Sequence, residues 1–143
     1  MKAVSGTALV LTLVLLSPLP AVASDDAIEA MQDYLDFANY DAGIITPEQL
    51  SEDVFRSVHF VDTRDADQFG AGTIPGAVNI EWRQILQRRD ELPTERKVVL
   101  FCNTGSLSAQ ATFALRVSGM DNALVLQTGL NGWRERAAYM PAN

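Results

Sequence analysis

The sequence predicts an α/β domain with three layers, a mostly parallel sheet covered by helices on both faces. Stretches of β-forming and helical residues alternate along the chain with short connections, in the order strand, helix, strand, helix, strand, helix. The run "VHFVDTRD" is apolar up to Val61 and then stops abruptly in charge, as a buried strand does where its C-terminal end reaches a site. A chain of 143 residues, 48% of them apolar, is long enough for one such domain with a real core and too short for two.

The first residues, "MKAVSGTALVLTLVLLSPLPAVASDD", combine a positive start, an apolar run from Ala8 to Leu16, helix-breaking prolines and the small residues Ala21-Val22-Ala23. That is the anatomy of a secretory signal peptide over residues 1–23. A membrane-spanning helix needs about 20 continuous apolar residues, and Ser17-Pro18 interrupts the run well before that. Cleavage after Ala23 places the remaining chain in the periplasm or outside the cell, with no stable membrane association. An extension over 24–45 follows. Its stretch "DDAIEAMQDYLDF" puts Ile28, Met31, Leu35 and Tyr34 on one face of an amphipathic helix from Asp25 to Phe37, with an acidic first turn.

The main domain is expected over 46–143. "NYDAGIITPEQL" reads as a loop and then a short helix, capped by Thr46 with Pro47 at its first position. After the strand Val58–Val61, "DADQFGAGTIPGAVNI" gives a helical turn, a Gly-rich turn, the rigid Ile74-Pro75-Gly76 and a short strand from Val78 to Ile80. "WRQILQRRDEL" is helical by the spacing of Trp82, Ile85 and Leu86, and "KVVLFC" is the most β-like stretch of all. "LSAQATFALRVSG" follows as a helix that offers Ala109, Phe113, Leu115 and Val117 for burial and ends at Gly119. "NALVLQTG" is a further strand and "LNGWRERAAYM" a further helix.

Sites in folds of this kind lie outside the carboxyl ends of the strands, and two chemical clusters sit there, Asp62-Thr63-Arg64 and Cys102. Cys102 is the only cysteine. After it, Asn103, Thr104, Gly105 and Ser106 are small or turn-prone, so successive backbone N–H groups can curl around the sulfur at the mouth of the next helix. Such a nest and the positive end of the helix dipole favour a thiolate. A cysteine at a strand end is equally a small buried hydrophobe, and both readings stand at this point. A lone thiol exported into an oxidising compartment is buried, paired with another chain, or kept for its reactivity.

Other chemistries fit poorly. The single histidine, His59, lies within a strand, the G-x-S-x-G elbow is absent, and one Cys with one His supplies no ordinary metal site. No cofactor is implied. A net charge of −7 argues against nucleic acid as a partner. Ser108 reads as an ordinary residue of a helix's first turn.

Three blocks, in order, carry a family resemblance: "FVDTRDADQFGAGTIPGAVNI", "VVLFCNTGSLSAQATFALRVSGM" and "ALVLQTGLNGW". Over Ile45 to Tyr139 the chain resembles the rhodanese-like domains, through their Asp-x-Arg block and Ile-Pro-Gly-Ala turn, their cysteine loop and helix, and their last strand and Gly-Trp turn. The resemblance implies a parallel five-stranded sheet flanked by helices. It implies a catalytic Cys102 on a six-residue loop to Leu107, with Asn103, Thr104, Gly105, Ser106 and Leu107 binding substrate. The chemistry implied is transfer of sulfane sulfur, carried as a Cys102 persulfide, from thiosulfate or a persulfide donor to a thiophilic acceptor. Its partners are thus a small sulfur-containing anion or persulfide, and a protein sulfur donor or acceptor.

Phosphatases sharing this fold close a longer Cys-x5-Arg turn with a guanidinium that binds phosphate bidentately; here that position is Ser108, which places sulfur transfer well ahead. The sequence also departs from many rhodanese-like loops. The loop has no Lys or Arg, Leu107 stands where a frequent variant has Arg, and Thr73 stands where a His precedes Ile-Pro. A substrate anion would then rely on backbone N–H groups, the Thr104 and Ser106 hydroxyls, and a cation from elsewhere. Arg64 is expected to pair with Asp62 or Asp65, and Arg83 to lie at the pocket mouth or in solvent. Weak activity on thiosulfate follows. The alternative function is a noncatalytic binding module on the same scaffold, serving a periplasmic partner.

Overall fold

Residues 22–142 are described by the computed structural model. All but the last two residues of the expected signal peptide lie outside that range.

Five strands form one parallel sheet: β1 Ile44–Ile45, β2 His59–Asp62, β3 Val78–Asn79, β4 Val98–Phe101 and β5 Ala123–Leu126. Their order across the sheet is β1-β5-β4-β2-β3. β4 is central, pairing Val99 with Phe60 of β2 and with Leu124 of β5. Its four residues are all buried, because both faces of a parallel sheet are covered. The two-residue period of a strand sends Val99 and Phe101 into one core, with Leu50, Phe60, Leu130 and Trp133, and Val98 and Leu100 into the other, with Ile80, Ile85, Ala111 and Leu115.

The helices are α1 Asp25–Phe37, α2 Glu52–Ser57, α3 Ala66–Ala71, α4 Ser106–Val117 and α5 Gly129–Arg136. Thr46 precedes a 3-10 turn at Pro47–Gln49, and its backbone N–H donates to Gln49 Oε1 at 2.8 Å. α4 stops where predicted. Gly119, at φ +96°, donates to the Arg116 carbonyl at 2.9 Å and Met120 to the Leu115 carbonyl at 3.0 Å, a Schellman closure that needs a residue free to adopt positive φ.

Three sequence expectations change. Ile44 and Ile45, read as loop, form the edge strand β1 alongside Val125 and Leu126, so the sheet begins just before residue 46. The segment after β3 is not an α-helix but two 3-10 turns, Trp82–Gln84 and Arg89–Glu91. The bonds from Ile80 N–H to the Asp62 carbonyl and from Trp82 N–H to the Thr63 carbonyl keep its start tied along β2. α4 buries Ser108, Ala111, Thr112 and Leu115, leaving Ala109 exposed and Phe113 and Val117 only half-buried. Its rotation packs Ala111 and Leu115 against Val98 and Leu100 of β4 and brings Ser108 to face Cys102.

α1 forms as predicted but buries none of its residues. Tyr34 holds it to α4, edge-on to Phe113 with ring centroids 5.4 Å apart, and its hydroxyl accepts from Arg116 Nε at 3.1 Å. No helix among the described residues is long and apolar enough to cross a membrane.

Candidate active site

Cys102 follows the last residue of β4, and the chain must then turn before α4. α5 fixes that turn. Leu130 N–H donates to the Cys102 carbonyl at 2.8 Å and Asn131 N–H to the Asn103 carbonyl at 3.0 Å. Gly129 (φ +58°) makes the approach possible, since a Cβ there would lie 2.4 Å from the Cys102 oxygen. With two carbonyls turned to α5, the following N–H groups are free to face the sulfur.

Gly105, at φ +98°, donates its N–H to Cys102 Sγ at 3.2 Å. The buried Ser108 hydroxyl lies 3.6 Å from the same sulfur and 3.0 Å from the Gly105 carbonyl. Burial pushes the Cys102 thiol up, but the Ser108 amide and hydroxyl and the Thr104 and Leu107 amides outweigh it, leaving the thiol below its ordinary value. Cys102 is only 4% exposed. It lies on the floor of an open cavity of about 340 Å³, lined also by Arg64, Gln68, Trp82, Arg83, Thr104 and Leu107. The buried-hydrophobe reading gives the burial but not the ring of donors aimed at the sulfur.

The two chemical clusters of the sequence meet here. Arg64 is 7% exposed and forks onto Asp62, with Nε at 2.9 Å from Oδ1 and Nη2 at 2.5 Å from Oδ2. Its Nη2 also donates to the Gly72 carbonyl at 2.8 Å, and its Nη1 to Asn103 Oδ1 at 3.1 Å. Thr73, at the position of the family's histidine, donates its hydroxyl to Asp62 Oδ2 at 2.7 Å. Asp62 holds the Arg64 guanidinium above its ordinary value against the pull of burial, and the nearby Asp65 and Cys102 charges add to that. Asn103 completes the link by donating Nδ2 to Gln68 Oε1 at 2.7 Å. Asp65 does not pair with Arg64; it caps α3 by accepting the Gln68 N–H at 2.9 Å.

Arg83 lines the cavity while its side chain is 74% exposed, so it stands at the mouth and in solvent at once. Its Nε is 3.1 Å from Glu81 Oε1 and its guanidinium sits 5.4 Å from the Trp82 ring centroid. Both predicted cations are therefore at the cavity, and each is paired with a carboxylate. Of the loop, Asn103, Thr104 and Leu107 line this cavity, whereas Gly105 and Ser106 line a neighbouring one with Ile44 and Thr128. Gly105 reaches the sulfur through its N–H alone, and the Ser106 hydroxyl lies 3.3 Å from Thr104 Oγ1. Ser108 is the site residue that sequence reasoning missed. Its signal was its spacing from Ala111, Thr112 and Leu115, the face that α4 buries.

Residues 46–136 match the Rhodanese-like domain family. Among curated proteins, the chain is 33% identical over 79 residues to the uncharacterized protein YqhL of Bacillus subtilis, covering 55% of this chain and 63%, less than two thirds, of that protein. It is 33% identical over 91 residues to a sulfurtransferase of Allochromatium vinosum, covering 62% of this chain and 85% of that protein. Among solved structures, the human single-domain sulfurtransferase TSTD1 superposes with a TM-score of 0.58 at 25% identity, over 66% of this chain and 97% of that one.

Proposed function

Because this chain belongs to the rhodanese-like domain family, we propose that it is a sulfurtransferase that carries sulfane sulfur as a Cys102 persulfide. The observation that carries the reading is the convergence of the Gly105 N–H and the Ser108 hydroxyl on a thiol whose pKa is lowered, at the floor of an open cavity. Relatives named as sulfurtransferases, about a third identical, support it.

In the first half-reaction the Cys102 thiolate attacks the outer sulfur of the donor. The new S–S bond forms as the donor's own bond to that sulfur breaks, so thiosulfate would leave as sulfite and an alkyl persulfide as a thiolate. The outer sulfur of the Cys102 persulfide is held protonated, as Cys102–S–SH, before the second half-reaction. In the second half-reaction a thiophilic acceptor takes the outer sulfur and returns Cys102 to the thiolate. The donors facing Sγ stabilise the Cys102 thiolate as the attacking group in the first half and as the leaving group in the second.

The donor set also bears on the substrate. Arg64 is held in a buried pair with Asp62, and the exposed Arg83 is balanced by Glu81, so a dianion meets no unpaired cation among the described cavity residues, and thiosulfate should be a weak donor. A persulfide donor is favoured. The same pairing of cations is what favours the second reading, a noncatalytic binding module for a periplasmic partner.

Intact mass separates the two readings. The purified protein incubated with thiosulfate or with an alkyl persulfide should gain about 32 Da, one sulfur atom, and Cys102→Ser should gain nothing. No gain with either donor ends the enzyme reading.

A further inference from the structure

The cavity above Cys102 does not end at its own rim. A second cavity of about 310 Å³ adjoins it, and Trp82 and Arg83 line both. The second is walled by Ile85 and Leu86 from the 3-10 segment and by Ala111 and Ala114 from α4. Leu86 is 46% exposed and Leu107, beside the thiol, 38% exposed. Large apolar side chains thus flank the thiol and continue away from it. A small sulfur anion occupies the first cavity and makes no use of the second.

The charge of the mouth points the same way. Glu81 matches Arg83 and Asp62 matches Arg64, while Asp65 is in no salt bridge among the described residues. Asp65 leaves the mouth net negative even when Cys102 carries a neutral persulfide, which complements a basic group beside an incoming sulfur.

We propose that the groove along Trp82, Ile85, Leu86, Ala111 and Ala114 docks a segment of a protein sulfur acceptor, with that segment's cysteine entering the Cys102 cavity, a basic residue next to the cysteine, and an apolar side chain in the groove. This rests on Cys102 acting as the persulfide carrier. The acceptor thiolate attacks the outer sulfur of Cys102–S–SH. Its S–S bond forms as the bond between Cys102 Sγ and the outer sulfur breaks. The outer sulfur keeps its proton and departs as the acceptor's persulfide, and Cys102 leaves as a thiolate into the N–H groups that hold it. No external oxidant or reductant is needed.

The test uses the protein first loaded with one sulfur from an alkyl persulfide and two synthetic peptides. Each peptide carries one cysteine next to a lysine, and they differ in having leucine or serine a few residues away. Transfer to the leucine peptide should be faster by about tenfold, the scale of burying one leucine side chain. Ala114→Gln, which fills the groove with a neutral helix-compatible side chain, and Leu86→Ser, which removes its wall, should each erase that advantage. Both should leave loading by the alkyl persulfide and transfer to a small thiol unchanged, which also shows that the variants fold. Exchanging the lysine for glutamate should slow transfer. Equal rates for the leucine and serine peptides, a leucine advantage that survives both variants, or a glutamate peptide as fast as the lysine one would overturn the docking proposal while the carrier chemistry stands. Failure of the protein to load at all would remove both.

Discussion

Ser108 Oγ has one proton and two acceptors, the Gly105 carbonyl at 3.0 Å and Cys102 Sγ at 3.6 Å. A neutral thiol is a weak acceptor, so the hydroxyl serves the carbonyl; an ionised sulfur, the stronger acceptor, draws it across. Ser108→Ala should therefore raise the Cys102 pKa by somewhat less than one unit, the equivalent of a hydrogen bond worth about 1 kcal/mol. Alkylation at neutral pH should slow severalfold while the fold is kept. In the parent protein the alkylation rate should climb with pH with its midpoint below that of an ordinary thiol. The sign for stability follows from the lowered folded pKa. The thiolate's contribution is fully present above the unfolded thiol's pKa and is lost as pH falls through the folded one. A rate profile that tracks an ordinary thiol would contradict this account of the site.

Between elements, the Asp62–Arg64 pair joins β2 to α3 through the Gly72 carbonyl and to the cysteine loop through Asn103. Asp62→Ala leaves a buried guanidinium without its partner, and the loss should be about 3–5 kcal/mol, read as a lower midpoint in urea. Gly129→Ala strikes the other support. Its Cβ would fall on the Cys102 and Asn103 backbone at 2.4–2.8 Å, and φ +58° strains any other residue. Persulfide loading should collapse in that variant, and a variant that loads normally would show that α5 does not position the loop. How far these elements could be read in the sequence depends on how much of the cause is local. β4 was legible because Val98–Phe101 is buried on both faces and so apolar throughout. β1 was not, because two residues carry no period and Ile44–Ile45 becomes a strand only by pairing with β5. The Cys102 loop was legible from residue type and position, and so was a carboxylate partner for Arg64, though not the choice of Asp62 over Asp65, whereas Ser108 and the true buried face of α4 depend on how that helix is rotated over the sheet. The 3-10 turns at Trp82–Gln84 and Arg89–Glu91 share their apolar spacing with an α-helix, so periodicity alone predicts the wrong one.

On the scale of the molecule, both cores lie against the sheet, and α1 contributes to neither. Export with cleavage after Ala23, as the leader proposes, would leave a chain that begins at Ser24, the residue whose Oγ caps α1 by accepting the Ala27 N–H. N-terminal sequencing of the protein from a periplasmic fraction would show it, and a retained Met1 would refute cleavage. The helix so exposed at the new terminus is held through the half-buried Met31 and Tyr34, the latter by an aromatic pair, a hydrogen bond and the Arg116 guanidinium 5.6 Å from its ring centroid. Arg116 keeps its bonds to the Asp121 and Ala123 carbonyls without it, at 2.6 and 3.1 Å. Since an aromatic pair is worth about 0.5–1.5 kcal/mol, an exposed cation–π contact about 0.5–1 kcal/mol and a hydrogen bond about 1 kcal/mol, and Ile28, Leu35 and Phe37 are already exposed, a chain starting at Ala42 should lose about 2–4 kcal/mol. It should load sulfur at the parent rate. Native-state hydrogen exchange should show the same division in the intact protein, with amides of 25–37 exchanging by local opening and those of β4 only by global unfolding. A truncated chain that no longer folds would mean that α1 is part of the domain's cooperative unit, despite burying none of its own residues.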